Sequence, residues 1–185
     1  MTRRQIVARL RKDGVLIDAH THLGADLALY ANGDYPYAMS AEDHSVRLAH
    51  TGIGAAVCFP WLYTNYFELA AFRRGRFRRD PRGDSPHPYA FENERLCREV
   101  YQAFPETAGQ LLPFAFFDPL RRTREQAAGI RDLAARFPLF GLKSATSYVH
   151  APVTALLKEG ACLLDLAAEL DLPVTLHSAV APGDP

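Results

Sequence analysis

The chain has 185 residues, with 21 Lys plus Arg against 21 Asp plus Glu, 48% hydrophobic and 23% charged. That is enough for one domain with a substantial core, in the composition of an ordinary globular protein. The balanced charge argues against nucleic acid or an anionic membrane as partner, and no segment approaches the roughly 20 apolar residues of a membrane span.

In chain order, "MTRRQIVARLRKDG" is basic but lacks the apolar centre of a signal peptide. Ile6 and Leu10 lie four apart and Gly14 can stop the turn, so a short leading helix is expected. "GVLIDAH" has the length of a buried strand. "SAEDHSVRLAHTG" then supplies Ser40 as N-cap, Asp43 three residues later and Gly52 as the stop. "IGAAVCFP" is a second strand, ended by Pro60. After a long connection, "PYAFENERLCREVYQAF" reads as a helix and "QLLPFAFFDP" as a third strand. "TREQAAGIRDLAARF" follows, with Thr123 and Gln126 as a capping box and Ala127, Ile130, Ala134 and Phe137 as its apolar face. "LFGLKSA" is strand four, "ACLLDLAAEL" a helix and "LPVTLHSA" strand five.

Strands apolar on both faces, each followed by a helical pattern, predict an α/β protein with a parallel sheet covered by helices. A doubly wound sheet and a (β/α) barrel both fit. No glycine-rich fingerprint follows the first strand, where "HTHLGAD" stands instead, and this favours the barrel. Cys58, Cys97 and Cys162 are an odd number without paired spacing, the pattern of reduced thiols in a cytoplasmic protein. "FRRGRFRRDPRGDSP", with six arginines against two aspartates, reads as a solvated loop rather than an anion site.

Alternate side chains of a strand share a face, so Asp18, His20 and His22 are expected to point one way and Ile17, Ala19 and Thr21 the other. In a barrel the polar set would face the axis and the apolar set the helices. Two converging imidazoles suit a divalent transition metal, zinc above all. Asp18 would orient an imidazole from behind. His177 ends strand five in the same manner, and in a closed barrel strands one and five face each other across the axis. The competing reading of any one such histidine is a hydrogen-bonded structural residue.

"DAHTHLG", "FGLKSA" and "LPVTLHSA" together resemble the amidohydrolase superfamily, and most closely its amidohydrolase-related group that includes aminocarboxymuconate-semialdehyde decarboxylase. The likeness runs in order along nearly the whole chain, through "TGIGAAVCFP" and "LLPFAFFDP" as strands two and three. It implies a (β/α)8 TIM-type barrel with a metal, usually zinc, at the carboxyl end, held by His20, His22 and His177. It also implies an aspartate from strand eight, often the general base, and a histidine after strand six.

The sequence departs from that pattern by stopping at "APGDP", just past strand five. A barrel of this type takes about 250 residues, so residues 1–185 are expected to be the amino-terminal portion of one barrel domain, truncated after about five βα units. Asp184, in a Pro- and Gly-rich tail, cannot replace the strand-eight aspartate. Two open parallel edges would leave the piece poorly stable and inactive alone.

Lys143, inside strand four, is read as a pocket residue meeting an anionic substrate; the carboxylated, metal-bridging lysine of some relatives is the lesser option. Trp61, Tyr63 and Tyr66 after strand two either wall a pocket or pack beneath a loop. Tyr148 and His150 follow strand four on the catalytic side, as substrate contacts or as loop residues without a role.

The expected activity is metal-dependent hydrolysis, an activated water attacking an amide, ester or lactone carbonyl of a small molecule. The alternatives are metal-dependent non-oxidative decarboxylation of an unsaturated or aromatic carboxylic acid, and a remnant without catalysis. A homo-oligomer is compatible with all three.

Overall fold

The computed structural model describes residues 1–25, 38–62, 68–72, 74–76, 78 and 86–177. Helix α1 (Arg3–Asp13) leads into strand β1 (Leu16–Ala25), a two-residue strand β2 (Ala38–Met39), helix α2 (Ala41–Ala49) and strand β3 (Ile53–Pro60). The single turn α3 (Leu69–Phe72), helix α4 (Ala90–Arg98), β4 (Leu111–Phe116), α5 (Thr123–Arg136), β5 (Gly141–Ser144), α6 (Ala161–Glu169) and β6 (Val174–Leu176) complete the order. The five strands expected from sequence are β1, β3, β4, β5 and β6; β2 is additional.

The sheet order is β2-β1-β3-β4-β5-β6, parallel throughout except for the antiparallel β1–β2 pair. A flat sheet would put β1 and β6 about 19 Å apart, four spacings of about 4.8 Å. The rings of His20 on β1 and His177 just after β6 instead have centroids 6.2 Å apart. The sheet is therefore curled, with its two ends turned toward each other.

Local sequence explains most element ends. Thr2 and Gln5 close a capping box at the start of α1, and Gly14 ends it in the left-handed region at φ 59°. Ser40 and Asp43 form the box expected for α2, which stops at His50, with Gly52 at φ 73° completing the turn. The segment read as one helix over 88–104 is α4 continued by a π-helical stretch, Glu99–Ala103. At α5 the expected capping box does not form. Its N-cap is Arg122 at φ 45°, and Thr123 is already helical. Gln126 turns inward, accepting from the Asp118 N–H at 2.9 Å and donating to the carbonyls of Asp118 and Arg121. Buried backbone groups in the loop leaving β4 need partners, and Gln126 supplies them from the first turn of the helix.

Curling divides the core. Inside lie Ala55, Phe59, Leu112, Phe114 and Phe140, closed from below by Ile6 and Leu10 of α1. Outside, Leu23, Ala56, Cys58 and Leu111 pack under α2 and α4, while Phe117, Leu142 and the apolar faces of α5 and α6 form the other outer cluster. The Phe114 ring lies where a side chain on Gly141 would begin, 2.1 Å from an ideal Cβ, so the interior admits no side chain there.

Leu16 and Ile17, at the start of β1, and Leu176, on β6, are 69%, 47% and 49% exposed. No helix among the described residues is long and apolar enough to cross a membrane.

Candidate functional site

The histidines reach the interior through an irregularity in β1. Asp18 pairs with Ala56 and Thr21 with Cys58, so two residues, Ala19 and His20, stand opposite the single Val57. Ala56 and Cys58 belong to the outer layer, and His22 pairs with the inward Phe59. Asp18 and Thr21 therefore face outward while His20 and His22 face inward. This corrects the expectation that Asp18 shares their face. Its Oδ1 accepts from the backbone N–H of His20 at 3.0 Å and so holds main chain, not a ring. Ile17, paired with Ala55, looks inward instead of onto the helices.

The two imidazoles meet at their tips, with Nε2 of His20 and Nε2 of His22 3.2 Å apart. Two nitrogens bound to one tetrahedral ion at about 2.0–2.1 Å would be spaced about 3.3–3.4 Å, so the pair has the bite of a chelate. His177 turns an edge toward His20, its backbone N–H donating to the Ser144 carbonyl at 2.9 Å. Among the described residues no group of three or more His, Cys, Asp and Glu is arranged to hold an ion. What the described chain offers is a two-nitrogen half-site with a third imidazole across from it.

Lys143 completes the cluster from β5. It is 2% exposed, its Nζ lies 3.0 Å from Nε2 of His20, and it sits 3.7 Å above the Phe59 ring. An ammonium has donors only, so His20 Nε2 accepts, which leaves the ring proton on Nδ1. That is the tautomer that presents Nε2 to a metal, and Lys143 and an ion would use the same lone pair. Burial lowers the Lys143 pKa to about 8.

His22 is stacked on Trp61, with centroids 4.4 Å apart and planes at 27°, and Phe59 lies against both rings at 4.8 Å from His20 and 5.6 Å from His22. Burial, followed by the nearby Lys143 and His20, lowers the His22 pKa to about 4; the Pro60 backbone acts in the raising sense. His22 Nδ1 is buried and makes no hydrogen bond of ordinary geometry. Burial also lowers the His20 pKa, with Lys143 and His177 adding to it and Asp18 opposing.

Both rings thus resist protonation more than a free imidazole does. An unfolded histidine binds its proton near pH 6.5, whereas folded His22 resists protonation down to about 4. Stability from this source is complete above about pH 6.5 and is lost as the pH falls through 4. Thermal melts of the metal-free chain between pH 7.5 and 4 should show that decline, and His22→Ala should flatten it.

The structure brings together His20, His22, Lys143 and Trp61, with His177 facing them. Tyr148 and His150 lie exposed in the loop after β5, His150 at φ 51°. Tyr63, Tyr66, Asp184 and most of the arginine-rich stretch lie outside the described residues. Sequence reasoning missed Phe59, which carries both imidazoles and the ammonium on one ring. It stands beside His22 in the parallel register, a pairing set by the neighbouring strand and not written in the apolar run that contains it.

No protein-family model matches the chain, and no curated protein matches its sequence. In fold it is similar to a solved structure of a probable 2-pyrone-4,6-dicarboxylic acid hydrolase from Acinetobacter baumannii with citric acid bound. Identity is 16%, the TM-score is 0.52, and the match covers 88% of this chain and 49% of that one. The chain spans about half the length of that structure. At this identity the likeness is one of fold, and the fold is the expected one: an α/β chain whose curled parallel sheet corresponds to about half of a (β/α)8 barrel.

Proposed function

We propose that this chain contributes half of the active site of a metal-dependent hydrolase acting on an amide, ester or lactone. The observation that carries the reading is the His20–His22 pair, tips 3.2 Å apart on the inner face of a curled parallel sheet. When bound, a divalent ion, zinc by preference, supplies Lewis acidity toward a carbonyl and water of pKa about 7. His20 and His22 would hold it through Nε2, with His177 as the third nitrogen. The proton acceptor and any further ligand come from outside the described residues.

The chain's other residues define what is bound. Lys143 is a buried ammonium beside the histidines and suits a carboxylate of the substrate. Trp61 offers an indole face beside His22 for a planar group. The similar solved protein is described as a hydrolase of a dicarboxylic acid and carries citric acid, which supports an anionic small molecule here. The same ammonium favours a second reading, decarboxylation, since it places a carboxylate at the histidines.

Product analysis in ¹⁸O-labelled water, with zinc and a panel of carboxylate-bearing lactones, esters and amides, separates the readings. One solvent oxygen in the product without carbon dioxide supports hydrolysis. Carbon dioxide without solvent oxygen supports decarboxylation. Neither product, with zinc bound and the rest of the active site present, overturns both readings.

A further inference from the structure

We infer that Asp18 is a positioning residue: it locks the irregularity in β1 that turns His20 and His22 into the barrel interior. Ile17 stands opposite the inward Ala55. If strict alternation continued from there, residues 19 and 21 would also face inward, and both histidines would face α2 and α4. A one-residue slip moves every later side chain to the other face. The extra residue between Asp18 and Thr21 supplies that slip, so His20 and His22 join Phe59 and Lys143 while Thr21 and Leu23 go to the helices.

A bulge interrupts the ladder and leaves main-chain groups in need of partners. Here the His20 N–H finds one in Oδ1 of Asp18, two residues back, at 3.0 Å. The contact spans the residues that carry the slip. Asp18 itself is half-buried on the outer face, opposite Ala56. Its carboxylate therefore acts on where the imidazoles point without touching them. The significance of this for chemistry rests on the proposed use of His20 and His22, but ring placement can be read without any metal.

Trp61 is the chain's one tryptophan and stacks on His22, so its emission reports whether that ring is inside. The His22→Ala variant gives the unstacked reference. In the metal-free full chain, Asp18→Ala should move the emission at least about half of the way to that reference, while Asp18→Asn, which keeps an oxygen acceptor, should stay near wild type. Deleting Ala19 removes the extra residue. His20 would then stand opposite Val57 and His22 opposite Phe59 in plain alternation, still inward. In that background Asp18→Ala should have no effect on emission.

Wild-type emission from folded Asp18→Ala overturns the inference, as does Asp18→Asn behaving like Asp18→Ala. If Asp18→Ala alone does not fold, the deletion background decides: a folded double variant with stacked emission upholds the lock, and an unfolded or unstacked one rejects it. Failure of the chain to bind zinc would remove the hydrolase reading and leave these emission results untouched.

Discussion

Alanine at position 20 or 22 is expected to weaken zinc binding by more than about 100-fold, because even the outer partners of metal ligands typically cost 10–100-fold when lost. The two Nε2 atoms are 3.2 Å apart, so either ring alone loses the chelate. His177→Ala should cost less, since that ring meets His20 edge-on at 6.2 Å between centroids. Lys143→Met should strengthen binding, by removing the donor that takes the His20 lone pair at 3.0 Å. Isothermal titration of the metal-free chain with zinc, with His50→Ala on the exposed end of α2 as control, measures all four. Unchanged affinity in both His20→Ala and His22→Ala would sink the assignment.

The largest loss of stability from a single substitution is expected at Arg121→Met. Arg121 pairs with Asp118 in the loop leaving β4, where they are 7% and 0% exposed. Burial raises the Asp118 pKa, and the attraction of Arg121 opposes it. The cost of desolvating the carboxylate thus exceeds what its partner returns, which is how a buried pair can be fragile without being strongly stabilising. Removing the guanidinium alone leaves the carboxylate uncompensated and should cost about 3–5 kcal/mol, lowering the melting temperature by roughly 6–20 °C for a chain of this size. Replacing both partners, as Asp118→Leu with Arg121→Met, should recover most of the loss. Thermal melts of the three variants at pH 7 test this. A cost below about 1 kcal/mol for the single change would mean the pair behaves like an exposed one.

The β/α alternation was legible because strands covered on both faces are written as unbroken apolar runs; all six residues of β4 are buried. The box at Ser40 was equally legible, being a local exchange between residues three apart, whereas the like box at Thr2 and Gln5 went unread. Gln126 was misread because the same spacing serves a tertiary purpose: its amide is taken by the buried loop at Asp118, a partner no local pattern reveals. The candidate site was legible as a set of residue types, His20, His22, Lys143 and Trp61. The facing of Asp18 was not, since a bulge is set by the neighbouring strand and alternation presumes its absence. Phe59 lay hidden in an apolar run that gives no sign of which rings will rest on it.

The amino-terminal helix has a consequence at the far end of the molecule. Ile6 is fully buried against the same interior cluster as Phe59, and Phe59 in turn supports His20, His22 and Lys143. The leading segment is thus the floor on which the chemical groups stand. Loosening it, by shortening the first turn or by a bulky fusion at Met1, would let the phenyl ring sink and unsettle the three polar groups that rest on it, without altering any of them.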